Sequence, residues 1–432
     1  MEASAFSLLR RRKFLPFFLT QFLGAFNDNA FKLTMLTMIS YHLTCTQEQS
    51  EYYQAIASVL FILPFFLLSA TAGQLADKYD KAVIIRIIKC AEVILMIIGS
   101  FALYYGSITW MMFTLSGMGI HSAFFGPIKY AILPDHLEER NLLGATGLVD
   151  ASTFIAILFG VTMGTLVIGA NEAKPYVAIF MVIFVAFMGL CTSTFIPSAP
   201  SSIPHLKVDL LIWRATYDLL KQAKAHAGIF FATLVISWFW LTGVVFTTKL
   251  PDYTHYVLGA DTYVFALFLA LFSVGIASGS LMVNVFLRGQ VTLKVVPWAM
   301  LGFTFFSFDL YLASPSSPMQ DSLLTIGDFF MYFFHWRIAF DLLMLAFCSG
   351  WFVVPLYTYL EVTSPASMRA RTIATNNIYN SLFMVLGSAM VIVALSYDVS
   401  IPQVFLIVSL LNVVVALLAW IYMRRFMEID SA

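Results

Sequence analysis

Apolar runs long enough to cross a bilayer recur along the whole 432-residue chain. A hydrocarbon core of about 30 Å takes roughly 20 apolar residues as a helix. Twelve such spans can be drawn, at 14–41, 52–75, 83–104, 109–133, 142–169, 175–196, 228–250, 262–287, 295–313, 337–361, 372–395 and 402–423. Backbone in lipid must satisfy its own hydrogen bonds, so runs of this length fold as helices. Composition agrees: 60% of residues are hydrophobic, 11% are charged, and mean hydropathy is +0.86. A soluble fold of this size lacks the interior to hide that share of apolar side chains. The expected fold class is an all-α integral membrane protein.

Lys plus Arg and Asp plus Glu each number 24, so the basic surplus of a nucleic-acid binder is missing and no nucleic-acid partner is expected. Cys45, Cys90, Cys191 and Cys348 form no Cys-x-x-Cys pair and read as small core residues, with neither a disulfide framework nor a structural metal site. None of the seven histidines has an aspartate five positions on, which excludes a His-x4-Asp acyltransfer motif. No Gly-x4-Gly-Lys phosphate loop is present either, so neither an enzyme nor an ATP-driven pump is expected. The basic start, Arg10 to Lys13, resembles that of a signal peptide, but its apolar run continues well past an h-region and reads as a retained first helix.

Placing both termini in the cytoplasm puts 19 of the 24 cationic side chains on that side. Only Lys174 and Arg337 fall outside, while Lys32, Lys129 and Lys249 lie within spans. That asymmetry is a positive-inside signature. The stretch 197–227 carries Val208, Leu211, Ile212, Ala215 and Leu219 as an apolar stripe, so an amphipathic linker helix is expected between the sixth and seventh spans. An aromatic loop at 314–336 is expected to lie at the outer interface.

The halves echo one another. Pro127 matches Pro355 at an offset of 228, while Ala145, Thr146 and Phe154 match Ala374, Thr375 and Phe383 at 229. Phe17, Phe18, Thr20 and Phe26 match Phe230, Phe231, Thr233 and Phe239 at 213. Six spans therefore repeat as six, dividing the chain into 1–196, a cytoplasmic linker at 197–227, and 228–432. Parallel six-helix repeats characterise major facilitator transporters. The turn between the second and third spans, with Gly73, Leu75, Ala76, Asp77, Lys78 and Lys81, resembles that superfamily's signature G-x-L-a-D-r-x-G-r-k. It departs where Asp80 replaces the second glycine and Ala82 the last cation. Gly73 permits close helix approach, and Asp77 can face a helix N-terminus and cations, as a conformational latch would. The plainer alternative is an ordinary turn with cytoplasmic charges.

A charge within a span is costly unless paired or hydrated. Asp28, flanked by Asn27 and Asn29, lies near mid-membrane in the first span. Two readings stand: a pair with Lys32, four residues on, or a site for a cation or a substrate amine. Lys129, Lys249 and Glu361 either reach an interface or join Asp28, since the four fall on spans 1, 4, 7 and 10, which line the cavity in the superfamily that the chain resembles. Thr146, Asp150 and Thr153 form one polar stripe, and Asn376, Asn380 and Phe383 another, each lining either a cavity or a seam between packed helices. Glu92 with Lys89, together with Asp309 and Asp341, read as structural groups, and His121 as a satisfied interior histidine rather than a proton relay.

Three segments narrow the resemblance: QFLGAFNDNAFK (21–32), GPIKYAILPDH (126–136) with GATGLVDASTFIAILFG (144–160), and FVVPLYTYLE (352–361). They are similar to the bacterial lysophospholipid transporter family. The resemblance implies a flippase-like carrier of 2-acylglycerophosphoethanolamine in the bacterial inner membrane, returning lysolipid for reacylation by a separate acyltransferase. It makes Asp28, Lys129, Lys249 and Glu361 headgroup or coupling residues, with a coupling cation, sodium or proton, and a candidate sodium site at Asp28. No other cofactor is implied. Independently of family, a phosphate and an ammonium need one cation and one carboxylate within reach, plus an apolar groove for the tail. Within transport, the alternative is a cation-coupled carrier of a soluble amphipath such as a drug or siderophore.

Overall fold

The computed structural model describes residues 5–44, 46–168, 175–209, 211–315 and 323–429; Cys45 and Lys174 lie outside them. Among the described residues, helices of 18 or more residues number twelve. They are α1 Leu15–Met38, α2 Gln47–Lys78, α3 Lys81–Tyr105, α4 Ile108–Ala131, α5 Glu139–Leu166 and α6 Pro175–Thr194. After the linker helix Ile212–Ala225 follow α7 Ala227–Asp252, α8 Thr262–Leu287, α9 Val296–Ala313, α10 Phe333–Thr363, α11 Arg369–Ser396 and α12 Ile401–Ile429. Nine of these are long and apolar enough to cross a membrane. The other three are α1, α3 and α4, which hold Asp28, Lys89, Glu92 and His121.

The ends have local causes. Asp80 caps α3 by accepting from Ala82 N, and Asp261 caps α8 through the amides of Tyr263 and Val264. Past α3 the backbone turns left-handed at Gly106, where φ is 65°.

The chain forms two compact units, one of residues 1–230 with 360–381, the other of 231–359 with 382–432. In the first, α1 packs on α5 and α6, α2 on α4, and α3 on α4 and α6. Small residues set these distances. A Cβ on Gly160 would lie 2.5 Å from Phe26 O, and one on Gly164 2.4 Å from Ala30 O, so α1 and α5 touch backbone to backbone. An apolar cluster that includes Phe31, Met35, Met96, Leu103 and Met118 is buried within this unit.

In the second unit α9 packs on α12, and α8 meets α10 where Gly275 and Gly279 face Leu343 and Phe347. Buried Asn412 ties α12 in place: it accepts from Trp238 Nε1 at 2.7 Å and donates to Met300 O at 2.7 Å and Thr304 Oγ1 at 2.9 Å. At about 0.6 kcal/mol for each hydrogen bond within a membrane bundle, Asn412→Leu should cost about 2 kcal/mol. A thermal unfolding midpoint in detergent equal to that of the parent would contradict this.

Two expectations need correction. Among the described cysteines, all free, only Cys348 is buried; Cys90 is exposed on α3 and Cys191 is half-buried. The apolar stripe of the linker is also narrower than the sequence suggests. Its helix begins at Ile212, and only Ala215 and Leu219 pack, against Ala70 and Ile378, while Leu211 is exposed and Val208 precedes the helix.

Candidate functional site

Helices α1, α3 and α4 bring a charged network into the first unit. Asp28 Oδ2 accepts from Ser122 Oγ at 2.6 Å, and Asp28 Oδ1 lies 4.0 Å from His121 Nδ1. His121 Nε2 stands 3.2 Å from Glu92 Oε2, which also takes the Lys89 ammonium at 2.6 Å. Asn27 Nδ2 donates to Glu92 Oε1 at 2.9 Å. Gly24 makes room for this, since a Cβ there would sit 2.5 Å from Lys89 Nζ.

Lys32 does not neutralise Asp28; its ammonium stands over the Phe61 ring, 5.4 Å from the centroid. Nor do Asn27 and Asn29 converge on Asp28. Successive helical residues point about 100° apart, so Asn27 meets Glu92 while Asn29 donates to Ala25 O of its own helix. The three side chains do not form the oxygen shell that a sodium ion needs. Among the described residues, no cluster of His, Cys, Asp and Glu could hold a metal.

A second cluster forms around α5. Lys129 Nζ donates to Thr153 Oγ1 at 2.7 Å, Tyr130 donates its hydroxyl to Asp150, and Thr146 Oγ1 donates to Glu361 Oε1 at 2.9 Å. The stripe of Thr146, Asp150 and Thr153 thus serves three neighbours, with Glu361 fully buried. Lys129 lies seven residues from Ser122, about 10 Å along α4. Asn376 and Asn380 are buried on α11. Lys249 belongs to the second unit and pairs with Asp252 at 2.8 Å on its own helix. Within the first unit, Asp28 thus belongs to the network of α1, α3 and α4, while Lys129 and Glu361 join the cluster around α5.

The signature turn forms a third assembly. Asp77 is fully buried; its Oδ1 accepts from Ala370 N at 3.1 Å and its Oδ2 from Arg371 Nε at 2.8 Å. The carboxylate therefore meets the N-terminus of α11, where the helix dipole favours an anion. Gly73 is required by that contact, since a Cβ would lie 2.7 Å from Ala374 Cβ and 3.0 Å from Arg371 Cα. Lys81 pairs with Asp135 at 2.8 Å, and Arg369 reaches the same carboxylate at 3.4 Å. Lys78 stands over the Tyr79 ring, 5.4 Å from its centroid. Arg369, Arg371 and Asp135 are not singled out by charge placement along the spans, although Asp135 and the two arginines follow the repeated prolines Pro127 and Pro355.

Asp80, which departs from the signature, has its own task. Beyond capping α3, it accepts from Ala199 N at 3.1 Å and from the Ser198 hydroxyl, tying the segment after α6 to the turn. Burial pushes its carboxyl up, but the Ser198 hydroxyl and the amides of Ala199, Ala82 and Val83 outweigh that and hold it below the usual carboxylate range. The stabilisation is therefore complete above the ordinary value of 3.8 and is lost as pH falls through the lower folded value. Asp80→Ala, costing about 1 kcal/mol as a lost N-cap, should speed proteolysis at 197–203 near neutral pH, as acid does in the parent. Equal cleavage rates in the two proteins would refute it.

Comparison with known proteins adds the family. The family model described as Major Facilitator Superfamily matches residues 17–334. The chain is 26% identical over 383 residues to a protein named Lysophospholipid transporter LplT from Serratia proteamaculans (strain 568), covering 88% of each chain. It is 25% identical over 411 residues, 94% of each chain, to the protein of that name from Escherichia coli O1:K1 / APEC. Among solved structures, the human organic anion transporter MFSD10 (TETRAN) matches with a TM-score of 0.74 at 13% identity, over 95% of this chain and 99% of that one. FucP in the outward conformation matches with a TM-score of 0.69 at 14% identity, over 95% and 99%. These two likenesses concern the fold alone.

Proposed function

Because the chain belongs to the Major Facilitator Superfamily, we propose that it is a secondary transporter of lysophospholipid, of the lysophosphatidylethanolamine type, in the bacterial inner membrane. It is a multi-pass transporter and not an enzyme. In this reading both termini are cytoplasmic, halves 1–196 and 228–432 are joined by the linker 197–227, and alternating access delivers cargo for reacylation by a separate acyltransferase. The likeness to lysophospholipid transporters over most of the chain carries the cargo assignment.

The chemistry of the first unit supports it. Asp28, with its Oδ1 free of hydrogen-bond partners, suits the substrate ammonium, and Lys129, about two turns further along α4 than Ser122, suits the phosphate. Thr146, Asp150, Glu361, Asn376 and Asn380 offer further polar atoms in the same unit.

Uptake of labelled lysophosphatidylethanolamine into proteoliposomes tests the cargo. Transport should depend on the acyl chain, so glycerophosphoethanolamine, which has the headgroup without the tail, should neither be carried nor compete. Equal uptake of both would favour a soluble amphipath instead.

A further inference from the structure

The basic run at the start of the chain is built into the fold, yet the proposed cargo does not use it. Ala5–Arg10 forms a 3-10 helix that packs on α1 and α5. Leu8 and Phe14, both buried, hold the segment on either side of Arg11, Arg12 and Lys13. Arg11 N donates to Leu8 O at 2.9 Å, and Arg11 O accepts from Phe14 N and Leu15 N at 3.0 Å each. The three cations are thus fixed within one turn of α1 instead of trailing in a loose tail. With Asp135, His136, Leu137 and Glu138 they line a cavity of about 560 Å³.

Among the described residues, the positive charge around that cavity is not balanced. Its two acids are engaged elsewhere: Asp135 pairs with Lys81 at 2.8 Å and Arg369 at 3.4 Å, and Glu138 with Arg140 at 2.7 Å. No described carboxylate forms an ion pair with Arg11, Arg12 or Lys13. His136 adds no fourth cation, since burial, helped by the nearby Lys13 ammonium, holds its imidazole below the ordinary value of 6.5. The surplus is therefore three permanent charges. Helix α1 begins at the same place with no side chain capping its N-terminus, so the positive end of its dipole adds to them. Such a surplus beside a membrane-spanning helix attracts anions, and the planar fork of an arginine matches the oxygens of a phosphate.

We infer that Arg11, Arg12 and Lys13 form a binding site for the phosphate of an anionic phospholipid, of the phosphatidylglycerol type. The bilayer supplies that anion at the right height. Lys13 stands two residues before α1, where the apolar span gives way to the headgroup layer. Phe6, exposed on the preceding 3-10 helix, offers an apolar side chain to the same layer. A zwitterionic headgroup fits poorly, because its ammonium would meet three cations with no acid left to receive it. That distinguishes this site from Asp28, which the cargo reading assigns to an ammonium. The site is independent of Asp28 and of the cargo proposed for it, and its ligand is a resident lipid of the surrounding leaflet.

Native mass spectrometry of the full chain in detergent tests this, with dioleoylphosphatidylglycerol and dioleoylphosphatidylcholine as the added lipids. The parent should retain phosphatidylglycerol at concentrations where phosphatidylcholine leaves no adduct; equal retention of the two would overturn the site. At about fivefold for each cation near a membrane surface, Arg11→Gln with Arg12→Gln and Lys13→Gln should weaken retention by about 100-fold. If that triple variant does not fold, Arg12→Gln with Lys13→Gln, which changes only exposed side chains, should weaken it about 30-fold. A control, Lys207→Gln with Lys221→Gln and Lys224→Gln, removes the same charge from the linker and should retain lipid as the parent does. Unchanged retention in the first variants would overturn the site. So would an equal loss in the control, which would reduce the effect to general attraction of charge. Glycerophosphoglycerol, the headgroup without acyl chains, should not displace the lipid when added in large excess. Displacement by it would assign the cavity to a soluble phosphate compound and overturn the lipid.

Discussion

Asp28→Asn should reduce transport by about 100-fold or more while leaving folded yield near that of the parent. The amide is nearly isosteric and can still accept from Ser122, so packing among α1, α3 and α4 survives. What disappears is a buried negative charge facing His121 and the substrate cation, a loss of about 3 kcal/mol, or roughly two orders of magnitude. The double change Asp28→Asn with Lys32→Met discriminates further. Since Lys32 sits over Phe61 instead of on Asp28, removing its charge should restore nothing. Normal uptake by that double mutant would return Asp28 to the role of a simple counter-charge. Both variants are compared with the parent for labelled lysophosphatidylethanolamine uptake at equal protein content.

The second large effect is expected at Asp77. Its carboxylate holds the start of α11 through Ala370 N and Arg371, and its backbone oxygen accepts from Ser202 N at 3.1 Å and Ile203 N at 3.0 Å. Asp77→Asn keeps the shape and loses the charge. Breaking a buried pair whose arginine is partly exposed should cost about 2 kcal/mol, less than for a fully buried pair. Residues 360–381 should then detach from the first unit roughly 30-fold more often. A cysteine replacing Thr375, which is 2% exposed, reports this through its maleimide labelling rate in a chain whose native cysteines are serine. Gly73→Val should act in the same direction by steric means, since it has to displace the α11 backbone at Arg371. Unchanged labelling and transport in both variants would remove the latch from the mechanism.

Much of the fold was legible because its signals are local. Runs of apolar side chain mark the long helices and their approximate ends. Asp77 was legible too, since a buried acid beside Gly73 in that turn needs donors, and a helix N-terminus and an arginine supply them. Asp80 was visible only as a departure from the signature, because Ser198 and Ala199 lie more than a hundred residues away.

The amino-acid order alone thus determined that this is a helical membrane protein with a charged residue deep in its first helix. Burial in lipid leaves an apolar segment no other regular structure and makes any charge in it conspicuous. It did not determine that charge's partners. Spacing along α1 offered Lys32, one turn away, yet the tertiary structure turned Lys32 onto Phe61 and presented Ser122 and His121 from α4. It also joined Glu92 and Lys89 to the same network, and sent Asn27 and Asn29 to different neighbours. The physical reason is angular: a residue's own helix offers only the positions three or four away, while every other contact depends on which neighbouring helix packs against that face.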